Sequence, residues 1–119
     1  MTQKKQAVTN YLFSERAKTN LIAASKMLAL VGDFKGAEKS GAKKFLVVFL
    51  ESIQAELEHG FVNSNEVEFQ KAAGLLDNVK KYLEFDDFEQ AALEIGKAIT
   101  ECTTPAQKSW QVLSENELV

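Results

Sequence analysis

Residues 45–50, "FLVVFL", place six apolar side chains in succession and constrain the fold more than any other stretch of the chain. Such a run belongs either to a buried strand or to a helix with no wet side where it crosses the molecule. Its surroundings decide between the two. Phe45, Phe49, Ile53 and Leu57 lie four apart, Leu46 and Leu50 lie beside them, and Lys43, Lys44 and Glu51 flank the run. A six-residue strand leaves that continuation unexplained, so the segment predicts a helix over about residues 34–59, ended by Gly60. Val47 and Val48 widen the apolar stripe until no polar side remains at mid-helix. A helix apolar all round has to be covered all round. It is either the central helix of the domain or the seat of a second copy, and Phe45, Val47, Val48 and Leu50 form the expected core or dimer seam.

The rest of the chain reads as helices too. Ala17, Leu21, Ala24, Leu28 and Val31 recur at spacings of 4, 3, 4 and 3, within a helix over residues 3–31. Gly32 suits its left-handed C-terminal cap, and Asp33 the N-cap of the next helix. Asn65 with Glu68 has capping-box spacing at the start of a third helix, whose stripe is Phe69, Ala72, Leu76, Val79 and Leu83. Asp86 or Asp87 caps a fourth, lined by Phe88, Ala91, Ile95, Ala98 and Cys102. Thr104, Pro105 and Gln107 fit the N-cap, N1 and N3 positions of a short fifth helix over about residues 105–114, after which "ENELV" frays. The expectation is a single all-α domain over residues 1–119, an antiparallel four-helix bundle with a short fifth C-terminal helix. Scarce glycine and a single proline agree with that class.

Charge is unevenly divided. Residues 1–50 carry nine Lys/Arg against three Asp/Glu, and residues 51–119 carry five against fourteen. Such polarity suits a polyanion at the front, or the front of one copy meeting the back of another. The best candidate patch for an acidic partner is the lysine row Lys35, Lys39 and Lys43, spaced by four, with Lys44 adjacent. A lysine row binds phosphate backbones through counterion release, but one arginine and few aromatics expected at the surface leave little to read or stack bases. One cysteine makes no internal disulfide, the N-terminal stretch has no signal-like apolar run, and no segment approaches about 18 apolar residues. The expected setting is cytoplasmic, without a membrane partner.

Two turns share Asp-Phe-x-x-Ala: "LALVGDFKGA" from residue 28 and "KYLEFDDFEQA" from residue 81. The segment "YLEFDDFEQAALEIGKAI" resembles the turn and second helix of a tetratricopeptide unit, over about 20 residues and without the 34-residue period of an array. The first hairpin, "AASKMLALVGDFKGAEKSGAKKFLVVFLE", looks like that of a HEPN domain, a class of helical bundles that are often dimeric and in part ribonucleases. The Arg-to-His spacing of the nuclease members is absent here, where the only pair is Arg16 and His59, so the resemblance implies hairpin architecture and no nuclease activity.

Residues suited to chemistry are few. Glu56 and His59 have the i, i+3 spacing of a di-iron ligand pair, but one histidine cannot complete such a set. His59 beside Gly60 is better read as a C-terminal helix charge. Cys102 falls on an apolar stripe and reads as a small core hydrophobe. No glycine-rich segment has phosphate-loop spacing. Trp110 is a lid on the core or an interface anchor, with the lid preferred. No catalytic residue, cofactor, metal or small-molecule substrate is assigned. The expected function is a non-enzymatic interaction and assembly module, acting on a protein partner or on itself as a homodimer. The alternative is a nucleic-acid-associated subunit of a larger complex, binding through Lys35, Lys39, Lys43 and Lys44.

Overall fold

A computed structural model describes residues 2–115, with side chains from residue 4 onward; the expected fraying at 116–119 lies outside the described residues. Four helices make up the fold: α1 (Thr2–Val31), α2 (Gly36–Ser64), α3 (Val67–Glu84) and α4 (Phe88–Glu115). Among the described residues there is no strand. Backbones approach closely between α1 and α2, α2 and α3, α3 and α4, and α4 and α1, and in no diagonal pair. The four helices therefore stand in a ring around one core. No helix among the described residues is long and apolar enough to cross a membrane.

The heptad-like stripes build that core. Leu21, Ala24 and Leu28 of α1 meet Leu46, Leu50, Ile53 and Leu57 of α2. Phe69, Leu76 and Val79 of α3 and Ala91, Ile95 and Ala98 of α4 complete it. Across the middle, the Phe13 ring meets Phe69 edge-on, with centroids 4.7 Å apart. Each fully buried Leu or Phe contributes on the order of 1.5–3 kcal/mol.

Several helix ends differ from expectation. α2 does not stop at Gly60 but runs on to Ser64 and closes on Asn65, whose N–H donates to the Phe61 carbonyl and whose left-handed φ of 59° turns the chain out of the helix. Asn65 is therefore the end of α2, not the capping-box start of α3; Glu66 precedes α3 without a side-chain cap. Gly60 is buried because the Phe13 ring lies against it, and a Cβ there would overlap the ring. At the first turn Lys35, not Asp33, is the N-cap, and Gly36 takes the positive φ. The fourth cap holds: Asp87 Oδ1 accepts the N–H of Gln90 at 3.2 Å.

A separate fifth helix is not formed. α4 continues unbroken through Pro105 to Glu115. Its buried stripe passes from Ala98 and Cys102 through Pro105 and Ala106 to Ser109 and Leu113 without losing register. The proline removes one intrahelical hydrogen bond, but its ring is buried in the core, and the extension lets α4 accompany α1 over most of its 30 residues. Gly41, Gly74 and Gly96 serve no close approach, since nothing stands within 4 Å of a Cβ built at any of them.

Candidate interaction surface

The apolar middle of α2 is helical but not wrapped on every side. Leu46 and Leu50 are fully buried, whereas Phe45 is 79% exposed and Val48 60% exposed. Val47 and Phe49 are half-buried at the margins. Of the two alternatives for the apolar middle of α2, the central helix is corrected: α2 is one wall of a ring of four, and it shows solvent a second apolar face. Of the four residues expected at the seam, Leu50 belongs to the core, Val47 lies at its edge, and Phe45 and Val48 point outward.

That outward face has a regular composition. Gly41, Phe45, Val48, Ser52 and Ala55 follow one another at spacings of 4, 3, 4 and 3, and His59 and Val62 continue the pattern. All but the half-exposed Gly41 are exposed, Val62 at 72%. The row spans three heptads, about 32 Å of helix, and puts no Asp, Glu, Lys or Arg on its line. The Ser52 hydroxyl donates to the Val48 carbonyl of its own helix at 3.1 Å, so it asks nothing of a partner. On one flank stand Lys44, Glu51 and Glu58, seven residues apart. Glu51 lies 3.8 Å from Lys80 of α3. Lys44 and Glu58 are exposed and make no ion pair among the described residues.

The lysine row is not a single face. Lys43 donates to Asp86 at 2.6 Å, and the Lys39 ammonium sits 5.0 Å from the centroid of the Phe88 ring. Both secure the turn between α3 and α4. Lys43 holds the Asp86 carboxyl below its ordinary value. Lys35 precedes α2, and Lys44 is turned about 100° from Lys43 around the helix. Between α2 and α3 an open cleft of about 610 Å³ has an apolar floor that includes Val47 and Leu83, with Lys43, Lys44 and Lys80 at its rim. Two of those three lysines are already satisfied by carboxylates of the same chain.

A polar cluster fixes α2 against α3. Buried Gln54 donates to the Ala73 carbonyl and to Asp77 Oδ1, both at 2.8 Å, and its Oε1 accepts from Lys80 Nζ at 2.9 Å. The Gln54 hydrogen bond, with Lys80 beside it, holds the Asp77 carboxyl below the usual carboxylate range. At the other end of the bundle Lys108 of α4 bridges Glu66 at 3.2 Å and Glu68 at 3.5 Å, which raises its pKa.

The residues singled out for chemistry are engaged in structure. Cys102 is fully buried, and burial pushes its thiol up to about 12. His59 is exposed, five residues short of the end of α2, with its Nε2 2.9 Å from the Asn63 amide nitrogen. Its expected role as a terminal charge is therefore replaced by a side-chain contact one turn away. Glu56 pairs with Arg16 of α1 at 3.7 Å. Among the described residues no three His, Cys, Asp or Glu side chains are grouped to hold a metal ion. Trp110 is 49% exposed and lies against Tyr11, with ring centroids 5.8 Å apart.

Comparison with protein-family models, curated proteins and solved structures found no match to this chain.

Proposed function

We propose that this protein is a non-enzymatic helical assembly module that associates with itself through the outward face of α2. The observation that carries the reading is the exposure of Phe45 and Val48, 79% and 60%, on an uncharged three-heptad row. Isolated exposed hydrophobics are ordinary, but adjacent Phe45 and Val48 on an uncharged row between charged flanks mark an interaction surface. Covering Phe45 and Val48 on each of two copies recovers several kcal/mol of burial that the lone bundle forgoes.

The bundle in this reading is antiparallel, up-down-up-down. Its connections of four, two and three residues support that, being too short to carry a helix back along its neighbour. So do the pairings of α2 with α3 and the turn after it, in which Lys43 meets Asp86 of the turn, Glu51 meets Lys80, and Gln54 meets Ala73. Partners descend one helix as they ascend the other. A cytoplasmic setting belongs to the same proposal, supported by the lone unpaired thiol of Cys102. The nucleic-acid alternative is not favoured, because Lys39 and Lys43 are spent on Phe88 and Asp86.

The test is the native mass of the purified chain from low micromolar to several hundred micromolar, alongside Phe45→Lys. A concentration-dependent dimer that Phe45→Lys abolishes, without change in helix content, is the expected result. A wild-type chain that stays monomeric throughout overturns the proposal.

A further inference from the structure

Resting on that self-association, we infer that the two copies meet α2 against α2 in antiparallel register, about a two-fold axis that passes beside residue 50. The helix itself carries the polarity this requires. The charged residues of α2 after Glu38 are Lys39, Lys43 and Lys44 before residue 50, and Glu51, Glu56 and Glu58 after it, apart from the lone His59. A parallel partner would set like charges in step, whereas an antiparallel one sets the basic half of each helix along the acidic half of the other.

The row of small and large side chains selects the same register. In antiparallel heptad packing, Phe45 of one copy faces Ala55 of the other, and Val48 faces Ser52. Symmetry repeats both meetings, so each bulky side chain finds a small one. In a parallel pair, Phe45 meets Phe45 and Ala55 meets Ala55, which crowds one layer and leaves a gap farther along. Ser52 enters the seam with its hydroxyl already bonded to its own helix, so its burial leaves no donor unsatisfied.

The flanks supply the charge match. In this register Lys44 of each copy lies beside Glu58 of the other, twice per dimer. These are the two flanking charges without an ion pair among the described residues of the single chain. Two meetings are unfavourable: Glu51 with its own symmetry mate at the axis, where Lys80 of each copy, 3.8 Å from its Glu51, offsets the repulsion, and Val62 of each copy beside Glu38 of the other at the ends of the seam.

The experiment is a charge exchange read by dimer dissociation constant in sedimentation at low salt, with helix content as the control for folding. Lys44→Glu and Glu58→Lys are each expected to weaken the homodimer roughly tenfold, because each turns two attractive pairs into repulsive ones. The double variant K44E/E58K is expected to return to within about threefold of wild type. An equimolar mixture of the two single variants is expected to pair as a heterodimer at near wild-type strength. In that pair the glutamate introduced at position 44 of one chain faces the lysine introduced at position 58 of the other, and the remaining meeting is the native one of Lys44 with Glu58. If wild type dimerises but the single variants match it, or the double variant and the mixture fail to recover, the antiparallel α2 register is wrong while self-association stands. A monomeric wild type removes both.

Discussion

Gln54 of α2 donates to the carboxylate of Asp77 on α3 at 2.8 Å, from a position buried between the two helices. The same amide nitrogen reaches the Ala73 carbonyl, and the amide oxygen accepts a hydrogen bond from Lys80. A buried amide with both ends engaged locks one helix against the next at a single register. Gln54→Ala removes all three contacts and is expected to cost about 1–3 kcal/mol, measured by urea unfolding. In the same variant the Asp77 carboxyl should titrate closer to its ordinary value, which NMR resolves residue by residue.

Acid should first loosen the hold of α2 on α3 and on the turn between α3 and α4. Asp77 and Asp86 are both held below the ordinary value of 3.8, by Gln54 and by Lys43. A carboxyl depressed in the folded chain contributes stability that is complete above its unfolded pKa and is lost as pH falls through the folded one. Thermal midpoints should therefore be flat from neutral pH to about 5 and decline below about 4. Both carboxylates are largely solvated, so the decline from these two groups is modest. Asp77→Asn with Asp86→Asn should flatten it.

The glycines should divide by what surrounds them. Gly60→Ala pushes a methyl group into the Phe13 ring, and overpacking of about 1–3 kcal/mol outweighs the gain in helix propensity of about 1 kcal/mol. Gly74→Ala and Gly96→Ala meet open space and should each stabilise the fold by about that propensity alone. Melting temperatures of the three variants check the contrast.

Pro105→Ala tests the continuity of α4. Within a helix, proline costs about 3 kcal/mol against alanine, and losing its two buried ring methylenes returns about 1.6 kcal/mol. The substitution should thus stabilise the protein by about 1 kcal/mol in thermal unfolding. At the first position of a separate helix it would bring no such gain, because proline is well tolerated there.

The core was readable in the sequence because the buried stripes of α1, α3 and α4 keep spacings of 3 and 4 in alternation. Leu21, Leu76 and Ile95 fall where that alternation puts them. Phe45 misled because it belongs to a row spaced strictly by four with Phe49, Ile53 and Leu57. Four residues advance an α-helix by about 400°, so three such steps turn Phe45 about 120° away from Leu57 and out of the core. Leu46, Leu50, Ile53 and Leu57, at spacings of 4, 3 and 4, mark the true inward line. The lysine row fails as one face for the same geometric reason, and because its partners Asp86 and Phe88 come from a turn more than 40 residues away. Pro105 and Asn65 show the reach of local signals. Each fits a helix start by its neighbours alone, and each is overruled by what its helix packs against: Pro105 by the stripe that continues along α1, Asn65 by the extra turn of α2 beyond Gly60. The outward seam of α2 was present as an excess of apolar residues, but its composition became legible once the inward side was fixed.

Cys102 has a consequence for experiment. With its sulfur sealed in the middle of α4 and its proton held until about pH 12, no reagent reaches a thiolate while the four helices stay closed. The rate of alkylation at neutral pH therefore counts openings of the molecule, and a native chain carries its own timer for how often it comes apart.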